Sequence, residues 1–237
     1  MGYSEWSDTA YRGISGARAA SSSAEIFRSE KSIDPLMNPK GLGSREARDS
    51  EHHPLSVPII VAFDVTGSMG DVPTRFATHL LGRMMKRLVE KRWVTDPQLL
   101  FAAIGDAVSD RAPLQVGQFE SGLEMDMWLT RLWLEGAGGD FPESYTLAHW
   151  FAAHHTSTDA WQERGAKGFL FTIGDATNKS LQSSHIHRVF GAPPEWPTDD
   201  ASVIAAAAER YEVFHITLTR GKPLNPEVER NWRNLVG

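Results

Sequence analysis

The sequence predicts a doubly wound α/β domain, with a mostly parallel central sheet and helices on both faces. From residue 57 onward, short β-branched apolar runs alternate with longer amphipathic segments, the pattern of strands joined by helical crossovers. Two of those runs, "VPIIVAFD" and "GFLFTIGD", end abruptly at a carboxylate. The chain has 237 residues and 41% hydrophobic content, enough for one sizeable core.

"VPIIVAF" (57–63) is continuously apolar, as a strand covered on both faces should be. The segment 72–93 follows it. There Val72, Phe76, Leu80, Met84 and Leu88 fall at helical spacing, and Leu81 and Met85 widen the stripe. Pro73 suits a first helical turn, and Arg87, Lys91 and Arg92 gather at the end favoured by the helix dipole. "QLLFAAIGDA" (98–107) reads as a second strand and "PLQVGQF" (113–119) as a shorter, alternating one. Residues 121–136 read as an amphipathic helix through Leu123, Met127, Leu132 and Leu134, stopped by Gly136. The loop "GAGGDFP" leads into a helix in "ESYTLAHWFAAHH". "KGFLFTIGDA" is a buried strand, "ASVIAAAAER" a helix, "EVFHITLT" a strand and "NPEVERNWRNLVG" a closing helix.

Residues 1–56 differ in character and form an N-terminal extension to a domain spanning 57–237. They are rich in Ser, Arg and Gly, with Trp6, Tyr11, Ile26 and Phe27 spaced among them. That composition suits either a disordered arm or an extension draped over the domain, where those aromatics would pack or cover an open sheet edge.

Composition narrows the function. There are no cysteines, which excludes disulfides, thiolate metal sites and cysteine nucleophiles, and makes a cytoplasmic setting the default. The net charge of −6 argues against general nucleic-acid binding. No apolar run approaches the ~20 residues that span a bilayer. The first residues lack the order of a secretory signal, and Trp6 stands where a myristoylation motif needs a hydroxyl.

In a doubly wound sheet, ligands bind beyond the carboxyl ends of the strands, where the strand order reverses. Asp64 and Asp175 both fall at that edge. Thr66 and Ser68 alternate with Asp64 on a glycine-containing turn that opens a helix. Carboxylates and hydroxyls are hard oxygen donors suited to Mg²⁺ or Mn²⁺.

"DVTGS" (64–68) resembles the Asp-x-Ser/Thr-x-Ser motif of the von Willebrand factor type A (vWA) family, whose Rossmann-like fold carries a metal-ion-dependent adhesion site. "GAGGDFPES" is similar to the Gly-Gly-Gly-Asp-x-Pro-Glu loop of bacterial and phage members and of the vWA domains of some alpha-kinases. The resemblance covers residues 57 to about 220. It implies a divalent cation (Mg²⁺, with Mn²⁺ or Ca²⁺ as alternatives) held by Asp64, Thr66, Ser68 and Asp175. Asp140 would stand where the family usually has a threonine. Gly67, Met69, Phe141 and Glu143, around the metal, would face a partner. Only one clear strand follows Asp175, where the family usually has two, so the sheet is either shortened or completed by the N-terminal arm.

The resemblance implies a binding module rather than an enzyme, with a partner's Asp or Glu completing the metal. Bacterial members often work beside AAA+ ATPases or inside larger complexes, so a large protein partner follows. One alternative is a Mg²⁺-dependent phosphatase or phosphotransferase of haloacid-dehalogenase type, but Thr66 sits where that chemistry needs a second carboxylate and Lys179 is poorly placed for phosphate. Another is a structural subunit whose metal only stabilises loops.

The remaining polar and aromatic features have plainer readings. His154 and His155 adjoin rather than repeat at i, i+4, and no HEXXH occurs. His185 and His187 would share one face of an extended segment. Trp128, Trp133 and Trp150 lie in helical stripes and are expected to pack, and the Arg83–Arg92 charges to form a solvated helix face.

Overall fold

The structure, a computed structural model, describes residues 4–27, 32–136, 141–219 and 221–237. The strands are β1 (Arg45–Ala47), β2 (Val57–Asp64), β3 (Pro97–Ile104), β4 (Leu114–Val116), β5 (Thr156–Thr158), β6 (Gly168–Gly174) and β7 (Tyr211–Thr217). Five of them form the main sheet in the order β4-β3-β2-β6-β7, all parallel except the short β4. The chain first builds outward from β2 through β3 to β4. It then crosses back to β6 and continues to β7, so the order reverses between β2 and β6.

Helices cover both faces. Successive residues of β2 point to opposite sides. Ile60 and Ala62 join a core with Leu147, Trp150 and Phe151 of α6 (Thr146–His154) and Trp232 of α10 (Pro226–Val236). Ile59, Val61 and Phe63 join a second core with Leu81 and Met85 of α4 (Leu81–Lys91) and Met125 and Leu129 of α5 (Glu124–Thr130). The predicted α/β architecture is therefore present. Shorter helices α7 (Asp159–Arg164) and α8 (Ser183–Phe190) complete the layers with α9 (Asp200–Arg210).

The N-terminal extension is draped on the domain. It contributes helices α1 (Asp8–Arg18) and α2 (Ser23–Ile26), and Tyr11, Ile26 and Phe27 are buried in the second core. Trp6 packs against Tyr11 at 4.9 Å between ring centroids. Arg18 forms a forked pair with Asp126 of α5, at 2.5 and 2.8 Å. Among the described residues the arm adds no strand to the main sheet: β1 pairs in parallel with β5 in a separate ribbon. On the second face the helices stop short of β7, whose Phe214 and Ile216 stay half exposed beside Phe171.

Three sequence expectations need correction. The helix expected over 121–136 ends at Thr130, so Trp133 is not helical. The buried Gln115 side chain donates to Trp133 O (2.8 Å) and accepts from Trp133 N (2.9 Å), which ties that stretch to β4. His185 and His187 lie on α8 rather than on an extended segment. The long helix after β2 begins as α3 (Val72–Arg75), widens into a π-helical segment (Phe76–Leu80) and continues as α4. Its most buried positions are Pro73, Ala77, Leu81 and Met85, while Val72, Phe76, Leu80, Met84 and Leu88 flank them.

Candidate metal centre

β2 and β6 run side by side, with Phe63 paired to Ile173, so Asp64 and Asp175 leave the sheet at nearly the same level. After Asp64 the chain turns through a 3₁₀ segment, Gly67–Met69, and Gly70 takes a positive φ of 55°. Met69 is fully buried beneath the turn and anchors it, while Gly67 and Ser68 remain exposed above.

The hydroxyls and carboxylates form one continuous chain of contacts. Thr66 donates to Asp64 Oδ1 from both its backbone N (2.7 Å) and its Oγ1 (2.6 Å). Thr66 Oγ1 lies 3.3 Å from Ser68 Oγ, which donates to Asp175 Oδ1 at 2.7 Å. Four of the residues expected to bind metal are thus brought together from two loops. Asp140 lies outside the described residues. Both flanks of its loop reach the site: the Gly136 carbonyl lies 3.2 Å from where a side chain on Gly67 would begin, and Phe141 lines the same cavity as Ser68 and Asp175.

Tyr145, which the sequence gave no reason to single out, stands behind this chain. Its hydroxyl donates to Asp64 Oδ2 (3.0 Å), and Ala176 N donates to the hydroxyl in turn (3.4 Å). Trp232 of α10 packs on the Tyr145 ring and donates to the Ala176 carbonyl. A Cβ on Gly174 would lie 1.9 Å from the Tyr145 hydroxyl, so only glycine leaves room for the ring. Gly174→Ala is expected to destabilise the fold by about 1–3 kcal/mol through overpacking, more than Tyr145→Phe does. Urea unfolding of the two variants checks the order.

Asp64 is completely buried, and every hydrogen bond it accepts comes from a neutral donor. Burial, with the nearby Asp175 charge adding to it, pushes its pKa up to about 6 against the opposing hydrogen bonds. Buried carboxylates in proteins are usually paired or bound to a cation. Two carboxylates and two hydroxyls converging with no basic side chain on Asp64 fit a hard divalent cation. Among the described residues, no group of three or more His, Asp or Glu is gathered as a metal cluster, so the hydroxyls are essential to that fit.

The expected partner-facing set divides. Gly67 and Phe141 are exposed, but Met69 and Glu143 are buried and cannot face a partner. Glu143 points into the interior, and its Oε2 has no hydrogen-bond partner. Burial first, then the charges of Asp64, Asp110 and Asp106, raise its pKa to about 9, with Lys179 opposing. Lys179 itself pairs with Asp106 at 2.8 Å.

The remaining singled-out residues are occupied by packing. His154 stacks on Trp196 at 4.1 Å and His155 on Phe190 at 4.5 Å. Trp128 and Trp150 are buried in the cores. A Ser121–His53–Asp96 line exists at the opposite end of the sheet, but Ser121 Oγ donates to the Ser4 carbonyl at 2.6 Å and His53 Nδ1 stands 3.7 Å from Asp96. It latches the N-terminal arm.

No family model matches the chain, and no curated protein matches it. Among solved structures, two crystal structures of the pilus adhesin SpaC from Lactobacillus rhamnosus GG are similar, at 13% and 10% identity and a TM-score of 0.44 each. The second of these is an open conformation. Each alignment covers 83% of this chain and 28% of the adhesin, so the chain spans well under a third of that protein's length. At that level the likeness is a distant one between backbone traces and no more.

Proposed function

We propose that this chain is a metal-dependent protein-binding module of the vWA kind. The observation that carries the reading is the unbroken contact chain Asp64–Thr66–Ser68–Asp175, built from two loops at the reversal point of the sheet. Asp64, Thr66, Ser68 and Asp175 would hold a Mg²⁺ or Mn²⁺ ion. When bound, the ion supplies an electrophilic position that an external carboxylate can fill. Asp64 contributes the buried charge, Tyr145 and Thr66 fix its two oxygens, and Ser68 stands exposed at the mouth.

The site is read as binding rather than catalytic. Thr66 Oγ1 spends its proton on Asp64, where a dehalogenase-type enzyme needs a general acid, and Lys179 is committed to Asp106. Among the described residues, no helix is long and apolar enough to cross a membrane. The cysteine-free composition is compatible with the cytoplasmic setting this reading supposes. Calorimetric titration of Mn²⁺ into the wild type and Asp64→Ala tests the proposal. Saturable one-site binding is expected in the wild type and none in the variant; equal binding by both proteins would overturn it.

A further inference from the structure

A cavity of about 640 Å³ opens directly beside Ser68 and Asp175. Its far wall is the end of β7 and the loop that follows, including Lys222 and Leu224, and Phe141 lies on its border. Two large apolar side chains stay exposed in this concave place, Phe141 at 49% and Leu224 at 38%. Apolar surface left open inside a concavity, beside a few polar groups, is the usual signature of a binding groove.

The far wall is held in place. Leu218 N donates to Gly174 O at 2.8 Å, which carries the pairing of β7 and β6 past the last ladder residue. Lys222 N donates to Thr219 O at 2.9 Å, with Gly221 at a φ of 78° closing that turn. Asn225 then caps α10 by accepting from Glu227 N. Lys222 is thus carried on a turn fixed at both ends, and it forms no ion pair among the described residues.

We propose that this cavity is a groove for an extended acid–apolar–acid segment of a protein partner. One carboxylate engages the metal centre, the apolar side chain packs against Phe141 and Leu224, and the second carboxylate meets Lys222. The inference rests on the metal-dependent reading above and specifies the partner that reading leaves general. Charge complementarity selects the occupant: the groove has an electrophilic position at one wall when metal is bound and a cationic side chain at the other, with apolar surface between. A segment with one acid would leave Lys222 unused, and a purely apolar one would leave both polar walls unused.

The test is an NMR shift titration of the full chain, saturated with Mg²⁺, using the blocked peptides Gly-Glu-Leu-Glu-Gly, its two single Glu→Gln forms and Gly-Glu-Gly-Glu-Gly. The wild type is expected to bind the diacid about three- to fivefold more tightly than either monoacid, the range for one exposed ion pair. Lys222→Glu should abolish or reverse that preference, and Leu224→Ala should remove the preference for Leu over Gly. Mg²⁺ affinity and competition by acetate, measured separately, should not change in either variant. Wild-type discrimination that survives in Lys222→Glu, or Mg²⁺ binding without diacid preference, overturns the groove and leaves the metal reading intact. Failure to bind Mg²⁺ at all overturns both.

Discussion

Tyr11→Ala is expected to destabilise the protein by about 3–5 kcal/mol, the range for removing a large buried aromatic. The effect is large because the arm is part of the second core. The Tyr11 ring is 2% exposed and lies 2.8 Å from where a side chain on Gly82 would begin. Its hydroxyl donates to the Ala77 carbonyl at 2.7 Å, and Trp6 packs on the outer side of the ring. Tyr11→Phe keeps the packing and removes only that hydrogen bond, for an expected loss of about 0.5–1.5 kcal/mol. Urea unfolding of the full chain measures both. A loss below about 1 kcal/mol in Tyr11→Ala would mean that the arm rests on the domain without supporting it.

The second large effect is a loss of stability in mild alkali, traced to Glu143. Below its unfolded pKa of about 4.5, Glu143 is protonated in both states. Between there and its folded value of about 9, only the folded state holds the proton. Unfolding then releases a proton, so each unit of rising pH favours the unfolded chain by up to about 1.4 kcal/mol until the folded group also ionises. The groups facing Glu143 are Asp64, Asp110 and Asp106, which oppose its ionisation, and Lys179, which favours it.

Two buried histidines act in the opposite sense at lower pH. His149 and His215 are depressed to about 4 and 3 by burial, so their contribution is full above pH 6.5 and is lost as the pH falls toward those values. Stability in metal-free buffer is therefore expected to peak near pH 6–7 and to fall by on the order of 2–3 kcal/mol by pH 8.5. Glu143→Gln should flatten the alkaline limb and steepen the acid limb, because the Glu143 slope that opposes the histidines below pH 6.5 is removed as well. Urea midpoints across pH 5–9 for the two proteins decide it: parallel curves would clear Glu143 of the effect.

Much of this architecture was legible because its signals are local. β2 announces itself as an unbroken apolar run and β6 as one interrupted only by Thr172, and "DVTGS" places a carboxylate and two hydroxyls on one turn whatever the rest of the chain does. The misses arise where a distant partner decides. Leu132 and Leu134 keep helical spacing, but the Gln115 amide, from another strand, claims the backbone of Trp133 between them. Met69 and Glu143 were assigned to the right loops, yet loop membership does not tell which side chains turn inward. Tyr145 left no trace, since its role depends on Gly174 making room for its ring across the sheet. Four spaced apolar residues in the arm suggested packing, but the separate β1–β5 ribbon depends on a pairing no local pattern encodes.

The π-helical segment between α3 and α4 has a consequence for how this protein tolerates insertions and deletions. From Pro73 to Met85 there are twelve helical steps, 85 minus 73, and the buried positions recur every fourth residue. A regular α-helix would carry those positions about 120° around its axis over that length. The wider turn absorbs one residue's worth of rotation, about 100°, and leaves them within about 20° of one line. The turn at 76–80 therefore holds one residue more than a regular helix needs to present that face. Deleting one residue there would leave eleven steps from Pro73 to Met85, about 20° of drift in a regular α-helix, so Leu81 and Met85 would still face the sheet. Relatives of this chain that lack the wider turn should accordingly be one residue shorter here with the same face buried, whereas one residue added to the regular part of the helix would turn that face by about 100°.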